Sequence, residues 1–255
     1  MLTAAEAEER IADALLVAGL SAGGTVLAHA SLSAFGHVPD GPETVIRGLL
    51  RALGTGGTLL MPALSHRDVT RDQPIFDVLR TPSCVGAIPE CFRLRAGTCR
   101  STHPTHSVCG AGDGVGRYLD DHQKDDTPCG PNSPYRRLRD LEGQVAFLGC
   151  GLSPNTSMHG VEEIAEAPYL FSGMVDYEIV MPDGTRDRVQ NWRHAFRGWG
   201  QRYARIGPLM PDGKIREGRV LEASVHILDC RTMWDVALEA MAQEPHFFVE
   251  RRPTT

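Results

Sequence analysis

The chain contains 255 residues, of which 42% are hydrophobic and 23% charged, and it carries a formal net charge of −6. This composition is ordinary for a single globular domain, which we expect over residues 1–255, with two small lobes as the alternative. The chain has no basic run, which argues against nucleic acid as a partner. It also has no apolar run of the roughly 20 residues that span a bilayer, which argues against a membrane partner.

The cysteines and the first residues bear on the compartment. The seven cysteines form no CxxC pair, so neither a zinc ribbon nor a disulfide framework is expected. The first ten residues lack the basic-then-apolar order of a signal peptide. We therefore expect a cytoplasmic protein.

The first part of the chain predicts alternating helices and strands. Thr3 and Glu6 form a capping box that opens an amphipathic helix, and a short apolar strand ends at His29. A second amphipathic helix and a second apolar strand follow, and this order predicts a βαβ unit with parallel pairing. The predicted bounds are 3–18 and 43–53 for the helices and 25–28 and 58–61 for the strands.

The remainder predicts fewer regular elements. Residues 63–135 show little periodicity, and their scattered apolar residues favour a functional region over a disordered one. The later predicted elements are a buried strand at 145–148, an antiparallel hairpin at 177–181 and 185–189, and a helix that begins near Asp229. The expected fold class is α/β: a mixed sheet with a βαβ core flanked by helices, plus an antiparallel C-terminal hairpin region.

The most specific chemical signal lies in residues 155–163, which follow an apolar run and two glycines. Asn155 is the expected N-cap of a helix that places His159 near its start and Glu162 on the same face. A helix N-terminus keeps an imidazole neutral and available as a base, whereas a carboxylate orients the ring and stabilises the cation. The sequence leaves open which influence prevails, but the combination suits proton transfer.

His29 stands at the end of a buried strand, where open α/β sheets commonly bind ligands. A hydrogen-bonded structural histidine is an equal alternative. The loop at 31–36 offers backbone N–H groups and two hydroxyls, which suit a phosphate or an amide-rich cofactor. It carries neither a Walker motif nor GxGxxG, so its specificity is low.

A further histidine pair lies in the segment 100–107, where the spacing of His103 and His106 could bind a metal. No third ligand of matching spacing is evident and HExxH is absent, so we expect no metal. A loop that hydrogen-bonds a polar ligand is the favoured interpretation. His194 lies in a segment rich in arginine and aromatic residues, for which substrate contacts, a lid and plain helix packing stay open.

Covalent catalysis is disfavoured. No GxSxG elbow is present for a serine nucleophile, and Cys150 has apolar neighbours that predict a buried, inert thiol. Ser133 and Tyr135 lie in a proline-rich loop, which predicts either a rigid surface turn or one wall of the cleft.

Short segments stand in a particular order over roughly residues 8–245: Ala28-His-Ala-Ser-Leu32, the loop and helix at 36–45, Gly57-Thr-Leu-Leu-Met-Pro62, Phe76-Asp77, Thr81-Pro-Ser83, Val85-Gly-Ala-Ile-Pro89, 100–107, Gly130-Pro-Asn-Ser-Pro-Tyr135, Leu148-Gly149 and Asn155-Thr-Ser-Met-His159. Individually they are weak, but as a collinear set they resemble the aminoglycoside 3-N-acetyltransferase family. The resemblance implies an α/β fold that differs from the GNAT acetyltransferase fold. It also implies that acetyl-coenzyme A lies in a cleft beside the aminoglycoside.

The resemblance further implies a role for each matching residue. His159 is the implied catalytic histidine, which accepts a proton from a primary amine in a ternary complex while Glu162 orients its ring. His29 is implied to stabilise the oxyanion or relay a proton. The implied coenzyme contacts are Ser31, Leu32, Ser33, Gly36, Val38, Arg100, His106, Ser107, Ser133 and Tyr135. The expected acceptor contacts are Asp77, Glu163 and His194, of which Glu163 is an additional acid that departs from the family pattern.

The expected partners are coenzyme A and an aminoglycoside acetylated at the 3-amino group of its deoxystreptamine ring, which confers antibiotic resistance, or another amine. A homodimer is a candidate assembly. Pro154 and the pair Gly160-Val161 depart from the family pattern, and these departures concern the acceptor. Two other classes stay open. One is a metal-dependent hydrolase built on His29, His103, His106 and His159, and the other is a catalytically silent relative that binds the coenzyme or another ligand.

Overall fold

The computed structural model describes residues 2–253. Its α-helices are α1 (Ala4–Val17), α2 (Pro42–Leu53), α3 (Ala87–Leu94), α4 (Gly116–Leu119), α5 (Pro134–Asp140), α6 (Met158–Ile164) and α7 (Cys230–Gln243). Its strands are β1 (Thr25–Ala30), β2 (Thr58–Pro62), β3 (Ile75–Asp77), β4 (Cys99–Arg100), β5 (Val108–Gly112), β6 (Gln144–Leu148), β7 (Phe171–Val180), β8 (Arg186–His194), β9 (Trp199–Gln201), β10 (Ile215–Val220), β11 (Ala223–Asp229) and β12 (Val249–Arg251).

A mixed seven-stranded sheet forms the centre of the fold, in the order β10-β11-β6-β1-β2-β5-β4. Strand β1 pairs in parallel with β2 and with β6, so the predicted βαβ unit is confirmed. The outer pairs are antiparallel. Because β1 and β6 both run parallel at the centre, their carboxyl ends meet at one edge, and the loops that follow them come together there.

Successive residues of β1 pack on opposite faces of this sheet. Val26 and Ala28 belong to a core shared with α1, α2 and α3, whereas Leu27 belongs to a core shared with α5, α6 and α7. This alternation is the two-residue period of a strand buried on both faces. It places His29 on the same face as Leu27, which is the face that α6 covers.

The predicted helix starts are largely confirmed. The side chains of Thr3 and Glu6 exchange hydrogen bonds with each other's backbone N–H at the start of α1, with distances of 3.3 and 2.8 Å. Asp229 caps α7 by accepting a hydrogen bond from the N–H of Thr232 at 2.9 Å. No described helix is both long enough and apolar enough to cross a lipid bilayer.

The hairpin expected at 177–181 and 185–189 is confirmed as β7 and β8, which are longer than predicted. It does not join the main sheet but pairs with β3 in a separate three-stranded sheet. The region 63–135, for which little regular structure was predicted, is ordered and contains β3, α3, β4, β5 and α4. The sequence did not predict β5, because glycines interrupt the apolar alternation that marks a strand. Antiparallel pairing with β2 stabilises β5 as a strand instead.

Candidate active site

A cleft of about 1020 Å³ opens at the carboxyl edge of the main sheet. Its walls come from the end of β1 with residues 31–36, the loop after β2, the start of α3, the segment 150–156 before α6, and the end of β8. This position at the carboxyl ends of parallel strands is where open α/β sheets bind ligands. His29, His106, His159 and His194 all line it.

Helix α6 carries His159 into the cleft, but the expected N-cap was wrong. The helix begins at Met158 after Ser157, and Asn155 lies in the preceding turn with its amide Nδ2 directed at Met233 Sδ, 3.3 Å away. Gly160 lets α6 lie directly on α7, since a Cβ at this position would stand 2.0 Å from the Trp234 ring. The Trp234 indole N–H donates to Ser157 Oγ at 2.9 Å, which fixes the start of the helix. The departure at Gly160 is therefore explained by packing.

Glu162 lies fully buried behind His159 and is surrounded by donors. The hydroxyls of Tyr169 and Tyr203 donate to its two oxygens at 3.0 and 2.7 Å, and His159 Nδ1 lies 3.1 Å from Oε2. A carboxylate is stable in such an environment only when it accepts several hydrogen bonds. The three contacts meet that requirement.

This network fixes the tautomer of His159. Each tyrosine has one hydroxyl proton and donates it to Glu162, so the Tyr203 oxygen, 2.9 Å from His159 Nδ1, can only accept. Burial, followed by the nearby Glu162, raises the pKa of Tyr203 well above its usual value, so the phenol keeps its proton. His159 Nδ1 is therefore the protonated nitrogen, and the lone pair resides on Nε2.

Glu163 holds a second histidine, and its predicted contact with the acceptor is not supported. Its Oε1 accepts from His194 Nε2 and from the backbone N–H of Cys129, both at 2.9 Å, and only 5% of its side chain is exposed. Burial raises the pKa of Glu163 to about 7. Burial also lowers the pKa of His194 well below its usual value, so the imidazole is neutral with its lone pair on Nδ1. His194, unlike Glu163, does line the cleft.

His106 completes a group of three imidazoles. One ring nitrogen from each of His106, His159 and His194 lies within 4.8 Å of the corresponding atoms of the other two. The Nδ1 of His106 is hydrogen bonded to Thr105 Oγ1 at 2.8 Å, and burial lowers the pKa of His106 well below its usual value. The cleft therefore brings ring nitrogens of three histidines close together, an arrangement that suits a bound cation.

His29 also lines the cleft and stacks on Phe147, with ring centroids 5.0 Å apart and planes tilted by 6°. Burial lowers its pKa to about 3, so the ring is neutral near pH 7. Its Nε2 is buried and has no hydrogen-bond partner within residues 2–253. The hydrogen-bonding capacity of this ring is therefore not fully satisfied within the described residues.

The loop expected to bind the coenzyme is only partly at the cleft. Ser31, Leu32, Ser33 and Gly36 line it, whereas Val38 is 8% exposed and packs in the core beside α1 and α2. The loop is anchored by the Ser31 N–H, which donates to Leu148 O at 2.9 Å. Gly149 permits this contact: it has a φ of 69°, and a Cβ there would stand 2.3 Å from the Cβ of Ala34.

Arg100 and Ser107 were expected to contact the coenzyme, but the structure uses them internally. The Arg100 guanidinium donates to Ser107 Oγ and to the carbonyls of Ala63, Val78 and Thr81, and it lies over the Phe76 ring. Ser107 Oγ donates to Ala63 O at 2.8 Å. These donors are consumed by holding the loops after β2 and β3 together, and neither residue lines the cleft.

Three further predicted contacts are also structural. Ser133 is the N-cap of α5, and Tyr135 is fully buried in the core on the α5–α7 face. Asp77, predicted to contact the acceptor, accepts from the N–H groups of Leu79 and Arg80 at 2.9 Å and so closes a turn. The proline-rich loop is therefore a structural turn rather than a wall of the cleft.

Several residues at the site escaped sequence reasoning. Tyr203 and Tyr169 complete the Glu162 network, yet each stands in an irregular stretch with no motif around it. Phe196 lies 5.4 Å from the His159 ring, and His66 lines the cleft after β2. Cys150 was expected to be buried, but it is half-buried and lines the cleft, where burial raises the pKa of its thiol to about 11. Only a three-dimensional contact could have identified Tyr203, because 44 residues separate it from His159.

Comparison with known proteins agrees with the fold. The family model for aminoglycoside 3-N-acetyltransferase matches residues 27–242. Aminoglycoside N(3)-acetyltransferase VIII of Streptomyces fradiae is 32% identical over 240 residues, which is 83% of each chain. A mutant of aminoglycoside acetyltransferase AAC(3)-IVa in complex with a gentamicin superposes with a TM-score of 0.81 at 29% identity, covering 94% of this chain and 90% of that one. The structure of AAC-IIIb with CoASH, at 24% identity and a TM-score of 0.80 over 99% of both chains, shares the fold. The chain therefore belongs to the aminoglycoside 3-N-acetyltransferase family of acyltransferases.

Proposed function

We propose that this protein transfers the acetyl group of acetyl-coenzyme A to a primary amine of an aminoglycoside, the 3-amino group of the deoxystreptamine ring, and thereby confers resistance. The observation that carries the proposal is the His159–Glu162 pair. It presents a basic imidazole nitrogen to a large cleft, in a chain that belongs to an acetyltransferase family.

His159 acts as the general base. Its Nε2 lone pair takes a proton from the substrate ammonium group and leaves a neutral amine, and the imidazolium that forms is stabilised by Glu162 through the Nδ1–H contact. The neutral amine nitrogen then attacks the thioester carbonyl carbon, and a C–N bond forms as the carbonyl electrons move to oxygen. Collapse of this intermediate breaks the C–S bond, and the coenzyme thiolate takes up the proton that the attacking nitrogen releases as the amide forms.

The wall formed by the end of β1 and the loop after it supplies groups for the developing oxyanion. The Ser31 N–H is already bound to Leu148 O, which leaves the N–H groups of Leu32 and Ser33 and the ring of His29 as the donors at this wall. Such donors contribute about 100- to 1,000-fold in rate. A neutral His29 has one ring N–H to offer, in keeping with its low pKa.

The acceptor side of the cleft has a distinctive composition. Neither Asp nor Glu is among the described residues that line it, whereas Arg193 and Arg252 are. The amine is therefore received by imidazole nitrogens, and the carboxylates of Glu162 and Glu163 act from behind them. An acceptor with few ammonium groups near the reacting amine fits this lining best.

The test is release of coenzyme thiol from acetyl-coenzyme A across apramycin, gentamicin and kanamycin types and simpler primary amines, with product sites assigned by NMR. We expect turnover with at least one acceptor and near-complete loss in His159→Ala. His226→Ala is the matched control, because His226 lies on β11 outside the cleft. Wild-type rates in His159→Ala would refute the assignment of the base. Absence of coenzyme binding by calorimetry would refute the acetyl donor.

A further inference from the structure

We propose that His106, His159 and His194 form a binding site for a divalent transition-metal ion, of which Zn²⁺ is the expected biological case. The sequence argued against a metal because it showed no third ligand near His103 and His106. In the folded chain, His194 at the end of β8 is the third ligand. His159 on α6 takes the place of His103.

The geometry of the three rings suits such an ion. Their candidate ligand nitrogens lie within 4.8 Å of one another. Zinc binds imidazole nitrogen at about 2.0–2.1 Å, which in a tetrahedral site separates the nitrogens by about 3.4 Å. Ligation would therefore draw the three nitrogens closer, and the rings already lie in edge contact, with centroids 4.9 to 5.5 Å apart.

An unpartnered atom points independently to a ligand. The Nδ1 of His194 is buried without a hydrogen bond among the described residues, and only 3% of the His194 side chain is exposed. Its other nitrogen is committed to Glu163, so Nδ1 holds a lone pair. A buried lone pair without a donor is costly, and a bound cation removes the cost.

Each histidine also has an outer partner of the kind that metal ligands require. His159 Nδ1 contacts Glu162, His194 Nε2 contacts Glu163, and His106 Nδ1 contacts Thr105 Oγ1. Metal-bound imidazoles almost always use their second nitrogen in this way, because the contact fixes ring orientation and raises basicity. His103 does not qualify, since its Nδ1 already accepts two backbone N–H groups.

The site has three protein ligands and an open side toward the cleft, in contrast to the four ligands of a structural zinc site. A bound ion would occupy Nε2 of His159. Given the proposed function, that nitrogen is the base, so the metal would compete with the acceptor amine and inhibit transfer. This consequence rests on the proposed function, whereas the binding itself does not.

The experiment titrates chelator-treated protein with Co²⁺ and follows its visible ligand-field absorption, with Zn²⁺ displacement measured by calorimetry. We expect one ion per chain, an intense band typical of a site with few ligands, and no thiolate charge-transfer band. His194→Gln should lose the band, and Glu163→Gln should weaken binding about 10- to 100-fold through the outer contact. His226→Gln, the control for histidines outside the cleft, should bind like wild type.

No Co²⁺ band in wild type would overturn the site whatever the variants do. An unchanged band in His194→Gln, or thiolate bands, would assign the metal to other ligands and overturn it equally. Competition is read separately, as a rise in the apparent KM for the acceptor amine with added Zn²⁺. Binding without turnover on any amine would retain the metal site and refute the acetyltransferase proposal, so the two failures are distinguishable.

Discussion

Two neighbouring carboxylates on α6, Glu162 and Glu163, each hold a cleft histidine, yet their surroundings differ. Glu162 is enclosed by two phenol hydroxyls in addition to His159, whereas Glu163 contacts one backbone N–H, the Thr127 hydroxyl and His194. Burial raises the pKa of Glu163 to about 7. In the proposed mechanism, the first pair stabilises an imidazolium, whereas the second holds a neutral ring.

A histidine–carboxylate contact does not by itself define a catalytic pair. What distinguishes Glu162 is the pair of phenol hydroxyls behind its carboxylate. A buried imidazolium needs a carboxylate that remains charged when the proton arrives, and further donors keep it so.

The largest expected difference is between the two histidines themselves. His159→Ala should lower kcat about 1,000- to 10,000-fold, because the base is lost, whereas His194→Ala should lower it no more than about tenfold. Steady-state rates of thiol release, with coenzyme binding checked by calorimetry, measure both. Equal losses of kcat in His159→Ala and His194→Ala would contradict the assignment of His159 alone as the base.

Glu162→Gln should follow, with a fall in kcat of about 100- to 1,000-fold. Glutamine keeps the shape of the side chain but removes the negative charge, which disfavours the imidazolium. It can also turn an amide N–H toward His159 Nδ1, which disfavours the tautomer with the proton on Nδ1. The matched change Glu163→Gln should cost only a few-fold. A reversed ranking of the two variants would move the catalytic role to Glu163.

Tyr203→Phe should have a smaller effect, about tenfold in kcat with little change in the KM for the coenzyme, since it removes one donor from Glu162 and one acceptor from His159. Stability should fall by about 1–3 kcal/mol, the cost of leaving buried partners unpaired. Tyr135→Phe is the control, because its buried hydroxyl has no partner among the described residues. Identical kinetics in Tyr203→Phe and wild type would exclude it as a positioning residue.

Glu163→Gln should have the smallest effect on kcat. It should instead change how the stability of the fold depends on pH. The folded pKa of Glu163 is raised from its usual 4.5 to about 7, so the folded state binds its proton more tightly than the unfolded state. Its contribution to stability is therefore most favourable below pH 4.5 and declines as pH rises through 7. Glutamine removes this decline.

Relative to wild type, Glu163→Gln should gain up to about 3 kcal/mol between pH 5 and pH 8. Urea unfolding of chelator-treated protein at both pH values measures the change. A parallel pH dependence in the two proteins would show that Glu163 is ionised without penalty in the folded state.

Much of the framework was available from the sequence. The capping box at Thr3, the apolar strands that end near His29 and Met61, and the α7 cap at Asp229 are local signals, because capping and short-range periodicity act within a few residues. The His159–Glu162 pair was also local, since three residues along a helix bring side chains together. The collinear segments indicated the family, which the comparisons confirmed.

What the sequence could not determine depends on contacts across long separations. Arg100 and Ser107 look like ligand contacts because they are polar and stand beside histidines, but the fold commits their donors to the carbonyls of other loops. Asp77 and Ser133 likewise close turns and cap helices. Polarity shows that a group needs partners, and only packing decides whether the protein or a ligand supplies them.

By itself, the sequence determined the βαβ core, the candidate base and its carboxylate. The core follows from hydrophobic periodicity, and the pairing of base and carboxylate follows from helix geometry. The tertiary structure alone brought Tyr203 to Glu162 and His194 to His106, residues separated by 41 and 88 positions, respectively. The physical reason is that a buried polar atom is stable only when it has a hydrogen-bond partner. In the interior that partner often comes from a distant part of the chain, which no local sequence pattern indicates.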